Sequence, residues 1–231
     1  MSASPVYVAI DTTDKDQAVR WAGTLAGHVG GLKLGLEFFG AHGPQGVAQV
    51  ARAGVPVFID LKFHDIPNTV AGAVRSVLAL KPSILTVHAS GGPAMLRAAM
   101  EAAKSAGDAR PKIVAVTVLT SLDANDLAAV GQAGDTALQV VRLAKLAQQS
   151  GVDGIVCAPT EAKMVRAACG RNFFLVVPGV RPSWADANDQ KRVMTPREAI
   201  EAGADVLVIG RPITQATDPK AAAERIHADL R

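Results

Sequence analysis

Residues 55–69 read VPVFIDLKFHDIPNT. A β-branched apolar run, Val55–Leu61, gives way to the charges Asp60, Lys62 and Asp65, and then to a Pro-Asn-Thr stretch where a helical period begins. A short run that is apolar at nearly every position predicts a strand covered on both faces, as in a parallel sheet. The same pattern recurs outward in both directions. Candidate strands lie at Val6–Ile10, Gly31–Gly35, Ile84–His88, Lys112–Leu119, Gly154–Ala158, Phe173–Pro178 and Val206–Gly210, making eight with Val55–Leu61. Between and after them come Ala-rich stretches of helical period at Asp14–Ala26, Asn68–Leu80, Pro93–Ala106, Thr136–Gln149, Thr160–Ala168 and Ile213–Leu230. Eight strand-then-helix units in 231 residues predict one α/β domain over residues 1–231, a closed (β/α)8 TIM barrel. An open sheet with a nucleotide loop fits less well, because the chain after the first strand reads AIDTTDKD and carries neither a GxGxxG nor a Walker loop.

Composition narrows the function. Hydrophobic residues are 49% and charged residues 19%, the balance of a globular core and not of a disordered chain. Aromatics are only 4%, too few for a base-stacking platform, and the net charge of +3 is spread along the chain. These features predict a small anionic ligand and no nucleic-acid partner. Cys157 and Cys169 form neither a disulfide framework nor a zinc ligand set. The opening MSASPVYVAID lacks the basic and apolar regions of a signal peptide, and no apolar run approaches the ~20 residues of a membrane helix. A cytoplasmic protein with no membrane partner is expected.

In a barrel the chemistry sits at the carboxyl ends of the strands. Read in order, those ends offer Asp11, Lys33 (in GLKLG), Asp60 with Lys62 and Asp65, His88, Thr120 with Ser121, Arg181 (in PGVR), and Gly210 with Arg211 (in IGRP). Asp60 and Lys62 are two apart, which strand period places on one face. A bare D-x-K is more often a structural ion pair. With Asp65 and Lys33 it becomes an alternating set of two carboxylates and two ammoniums, able to hold Lys62 protonated and aim its proton at developing negative charge. On the seventh and eighth strands, Gly210 allows close backbone approach, Arg211 offers a fork to phosphate oxygens, and Pro212 suits the start of a helix. Barrels commonly bind phosphate there. The long polar stretch RPSWADANDQKRVM predicts an active-site lid at 181–195. His88 reads as a hydrogen-bonded rim histidine, His64 is given no chemical role, and Trp184 either packs the lid or lies exposed.

The motifs DLKFHDIPNT, GLKLG, VHASGG, VTVLTS, PGVRP and VIGRP, in that order along nearly the whole chain, resemble the orotidine 5′-phosphate decarboxylase family. The resemblance implies cofactor-free decarboxylation of orotidine 5′-monophosphate to uridine 5′-monophosphate, the last step of de novo pyrimidine synthesis. It also implies a homodimer with active sites shared across the interface. Residue by residue, the proton-donating lysine falls on Lys62, with Lys33 and Asp60 beside it in the same subunit. Asp65 and Thr69 match residues reaching the site from the second subunit. Asp11 and Lys33 match ribose contacts, Thr120 a contact to the pyrimidine edge, and Arg181, Gln190, Gly210 and Arg211 the phosphate set. No metal ligand is implied. Two alternatives stand beside this reading. One is a metal-dependent decarboxylase of 3-keto sugar acid phosphates on the same barrel, disfavoured because Lys33 would repel the metal. The other is a catalytically silent nucleotide-binding barrel, which would have no need of Lys62.

Overall fold

In the computed structural model, which describes residues 4–132, 135–185 and 194–230, the apolar runs pair side by side in chain order. The strands are β1 (Val6–Ile10), β2 (Gly31–Gly35), β3 (Val57–Phe63), β4 (Ile84–His88), β5 (Lys112–Val116), β6 (Gly154–Val156), β7 (Phe174–Pro178) and β8 (Val206–Ile209). All neighbours are parallel, and β8 returns to β1 through Val6↔Leu207, Tyr7↔Val208 and Val8↔Ile209, closing the expected (β/α)8 barrel.

Strand period divides the apolar residues between two cores. Inward positions Ala9, Phe58, Ile84, Val114, Val176, Val206 and Val208 pack together, with Tyr7, Val156 and Phe174 against them, and fill the barrel's interior. Alternate residues such as Val8, Leu32, Ile59, Leu85, Ile155 and Leu207 join a second, larger core under the surrounding helices. The interior is therefore a plug of side chains, and polar residues can line it only at the ends.

The helices are α1 (Lys15–Leu25), α2 (Leu36–Ala51), α3 (Pro67–Val77), α4 (Gly92–Lys104), α5 (Ala124–Ala129), α6 (Thr136–Gln149), α7 (Ala162–Cys169), α8 (Pro196–Glu201), α9 (Arg211–Thr214) and α10 (Pro219–Asp229). Five of them, α1, α5, α6, α8 and α10, start after a short polar side chain that accepts a first-turn amide. Asp14 takes the Gln17 N–H at 2.9 Å, and Thr195 forms a reciprocal box with Glu198.

Several elements depart from the sequence reading. The strand expected at Val55–Leu61 lies two residues later, at Val57–Phe63, so Lys62 belongs to it. The fifth strand stops at Val116 instead of Leu119. The single helix expected over Ile213–Leu230 is two, α9 and α10, because Asp218 caps a new start by accepting the Ala221 N–H at 3.0 Å and Pro219 occupies its first turn. The stretch 36–51, left without a helix, forms α2, kinked where Gly43 takes φ 57° ahead of Pro44.

Candidate active site

β3 does not run straight through its charged end. Ile59 pairs with Leu85 and Phe63 with Val87, so β3 spends four steps where β4 spends two. The surplus is absorbed at Lys62, whose φ of 50° lies in the left-handed region that β-strands avoid and non-glycine residues rarely enter. Its amide finds no ladder carbonyl and donates instead to the Thr86 hydroxyl oxygen at 2.9 Å. Asp60 and Lys62 do meet, as the sequence suggested, but a bulge brings them together and not the two-residue period of a regular strand.

Asp60 is the buried centre of the group, 8% exposed. One carboxylate oxygen, Oδ1, accepts from Lys62 Nζ at 2.9 Å and from the Thr86 hydroxyl at 3.0 Å, while Oδ2 lies 3.4 Å from Lys33 Nζ. Burial alone would raise the Asp60 carboxyl. The two ammoniums, with the hydrogen bonds from Lys62 and Thr86, outweigh it and hold the group below the usual carboxylate range. Lys33 reaches the other way to Asp11 at 3.5 Å. Its ammonium sits over Gly35, where a Cβ would come within 3.1 Å of Nζ, so the small residue after β2 leaves room for the Asp11–Lys33–Asp60 chain.

Lys33, Asp60, Lys62 and Thr120 line one cavity of about 210 Å³ at the carboxyl ends of the strands. Phe58, Val116, Val118, Val156, Val176, Pro178 and Val208 form its apolar wall and floor, a shape suited to a flat ring with a charged edge. A larger hollow of about 800 Å³ lies at the opposite end of the barrel, bordered by His28, Gly30, Pro56 and His227. Its ion pair, His28–Glu224 at 3.1 Å, is partly solvated and offers no comparable convergence of charge. Among the described residues, no three His, Cys, Asp or Glu side chains gather as a metal-ligand group.

A buried carboxylate between two lysines at the mouth of a parallel barrel is the arrangement to compare with known proteins. The model of the orotidine 5′-phosphate decarboxylase / HUMPS family matches residues 4–226. The chain belongs to this family. It is 57% identical to the orotidine 5′-phosphate decarboxylase of Rhodospirillum rubrum over 100% of this chain and 95% of that protein. It is 54% identical to that of Novosphingobium aromaticivorans over 99% of this chain and 100% of that protein. The crystal structure of orotidine 5′-phosphate decarboxylase from Lactobacillus acidophilus superposes with a TM-score of 0.88 at 36% identity, with both chains covered in full.

Against the site expected for the decarboxylase family, the structure gathers Asp11, Lys33, Asp60, Lys62 and Thr120 at one mouth. It does not bring Asp65 or Thr69 to that cavity. Both are exposed, and the Asp65 carboxylate accepts from the neighbouring Ile66 N–H at 2.6 Å. Within this chain the four-member set is therefore a three-member one, Lys33–Asp60–Lys62, extended by Asp11.

The phosphate candidates leave from adjacent strands. Pro178 of β7 pairs with Val208 of β8, and Arg181 and Arg211 each follow three residues beyond that pair. Arg181 is buried; its amide donates to the Met194 carbonyl at 2.9 Å, which joins the two ends of the 181–195 segment. Gly210 precedes α9, and a Cβ there would stand 3.3 Å from that of Ala9. Gln190, and the expected lid over 186–193, lie outside the described residues. Trp184 is not simply exposed: it is half-buried, with the Arg225 guanidinium of α10 4.6 Å from its ring centroid.

His88 behaves as a rim histidine, bonded through Nδ1 to the Ser90 hydroxyl at 2.7 Å and stacked on His64 with ring centroids 5.1 Å apart. Burial, aided by His64 and Lys62, lowers its pKa and favours the neutral ring. Thr86 was missed by the sequence reading. It stands two residues before His88 on the same face of β4, so inward parity from His88 would have flagged it.

Proposed function

We propose that Lys33, Asp60 and Lys62 are the groups on which this decarboxylase turns orotidine 5′-monophosphate into uridine 5′-monophosphate and CO2 in pyrimidine biosynthesis. The observation that carries the assignment is the Lys62 ammonium, fixed 2.9 Å from a buried carboxylate while its side chain, 30% exposed, faces the cavity. Breaking the bond from C6 to the carboxylate leaves its electron pair on C6, in a vinylic orbital that the ring carbonyls delocalise poorly. Fixed positive charge beside that carbon stabilises it, and the Lys62 N–H then supplies the proton that completes the product. Asp60 holds Lys62 charged and aimed, and Lys33 keeps Asp60 ionised in turn. The positive charge required is thus already present in the chain's own residues, which supports a reaction without metal or organic cofactor. The barrier reduction asked of such a site is about 20 kcal/mol or more, at the upper end for enzymes.

On this reading Asp11 and Lys33 meet the ribose and Thr120 meets the pyrimidine edge. Arg181, Gly210 and Arg211, with Gln190, hold the phosphate. Asp65 and Thr69 complete the neighbouring site of a homodimer. In support, their segment presents Ile66 at 66% exposure, and Leu36 at the start of α2 is exposed as well, apolar side chains that a second copy would cover. The free thiols Cys157 and Cys169 suit a reducing cytoplasm, and among the described residues no helix is long and apolar enough to cross a membrane.

The test is loss of substrate absorbance when orotidine 5′-monophosphate is added to protein stripped with excess EDTA. Full activity is expected. Activity lost to EDTA and restored by magnesium would move the chain to the metal-dependent decarboxylases of the same barrel, and absence of turnover under all conditions would make it a binding protein.

A further inference from the structure

The left-handed backbone at Lys62 needs support, because a non-glycine residue there is strained unless the surroundings over-determine it. From β4, the Thr86 side chain reaches into the bulge. Thr86 is 0% exposed, and its oxygen accepts the Lys62 amide at 2.9 Å while standing 3.0 Å from Asp60 Oδ1. A threonine hydroxyl has a single proton. With the Lys62 N–H occupying a lone pair, that proton is committed to Asp60. The hydroxyl therefore ties the backbone of the lysine to the carboxylate that its own ammonium grips, closing a ring of hydrogen bonds from Lys62 N through Thr86 and Asp60 to Lys62 Nζ.

We propose that Thr86 is a positioning residue for the decarboxylation: it locks the Lys62 backbone in the bulge and spends its proton on Asp60, so that the ammonium points at the cavity with its partner ionised. Thr86 touches neither the cavity nor the reacting atoms, and it acts through Lys62 and Asp60. The proposal rests on the reading of Lys62 as proton donor. It adds that the alignment of that donor is built into β4.

The alternative is that Thr86 merely fills space between β3 and β4. Thr86→Val keeps the volume and removes the hydroxyl, leaving the Lys62 amide without an acceptor and Asp60 with one donor fewer. A hydrogen bond to a charged group predicts a fall in kcat of about 10- to 100-fold, with KM within about threefold of the wild type. The pH profile should move as well. Asp60 faces Lys33 on β2 and Lys62 on β3, with Asp11, just past β1, across Lys33, and His88, further along β4, acting on Lys62. Removing the Thr86 donor raises the carboxyl, so the acid limb of kcat/KM shifts to higher pH. His88 keeps its Ser90 bond in each variant and contributes equally to all of them. Thr86→Ser restores the hydroxyl without the methyl and should bring kcat back to within about threefold.

Wild type and Lys62→Ala are run in the same assay. Activity surviving in Lys62→Ala overturns the reading of the site itself, whatever Thr86 does. With that control dead, the positioning role is overturned if Thr86→Val keeps kcat within twofold and its acid limb in place, or if Thr86→Ser is as impaired as Thr86→Val. Should Thr86→Val fail to fold by thermal melting, Thr86→Ala, which only removes atoms, takes its place with the same expected and overturning results.

Discussion

At the amino-terminal ends of β5 and β6 the Arg110 guanidinium grips both oxygens of Asp153, at 2.7 and 2.8 Å, and adds the Pro111 carbonyl. Below β7 and β8, Arg166 donates to the carbonyls of Gly170, Arg171, Phe173 and Gly203 and to Asp205. Those donors are spent on the protein itself, and Asp153 and Asp205 each also accept a strand amide, from Ile113 and Leu175. At the opposite end the cations around Asp60 are lysines, and Lys62 has three donors with one acceptor, Asp60, among the described residues. The contrast separates two uses of an ion pair. A rigid fork held at three or more points fastens chain to chain, whereas a compact ammonium tethered once keeps donors for something that enters the cavity.

That comparison can be broken at several points. The largest effect expected is a restoration. Lys62→Ala and Asp65→Ala proteins should each be inactive, and mixing them after verified subunit exchange should recover about a quarter of wild-type activity, because half of the dimers then carry one intact shared site. A mixture that stays inactive would place Asp65 in its own subunit. Next comes Arg211→Ala, which removes a guanidinium proposed to hold the phosphate: KM should rise by about 100-fold while kcat falls far less, as measured by initial rates. A loss confined to kcat would count against the phosphate assignment. The smallest effect on catalysis belongs to the fastening end. Arg166→Ala should destabilise the fold by about 2 kcal/mol, read as a drop of several degrees in Tm, and leave kcat unchanged at a temperature where the variant is folded.

The barrel itself was legible because each strand is a short apolar run buried on both faces and each is followed by a helical period; β1, β2 and β4 even lie within their expected bounds. The helix α2 escaped notice for a physical reason: Gly40, Gly43, Pro44 and Gly46 interrupt its period, and the chain is indeed kinked at Gly43. The division of the last helix was signalled by Asp218-Pro219 but masked by the Ala run beyond it. Lys33, Asp60 and Lys62 could be picked out because charges at the ends of apolar strands need a reason to be there. How they meet could not. Strand alternation gives the right pair for Asp60 and Lys62 through the wrong geometry, since a bulge depends on what β4 places opposite. Thr86 reads in sequence as one more β-branched strand residue. Asp65 entered the charged set by its spacing from Lys62, but its place at a neighbouring site, like that of Thr69, was legible only through family likeness, and the single chain leaves both on its surface.

The central claim is that Lys62 acts on charge present only while the C6 carboxylate leaves, and that the rest of the site holds the nucleotide. The most direct measurement sets two quantities side by side on Lys62→Ala: kcat for orotidine 5′-monophosphate, and the Kd of the product uridine 5′-monophosphate. The expected result is a kcat reduced by more than about 10³-fold, with product affinity within about tenfold of the wild type, since the ribose and phosphate contacts remain. A variant that keeps a few per cent of wild-type kcat, or that loses product binding in proportion to its rate, would contradict the account.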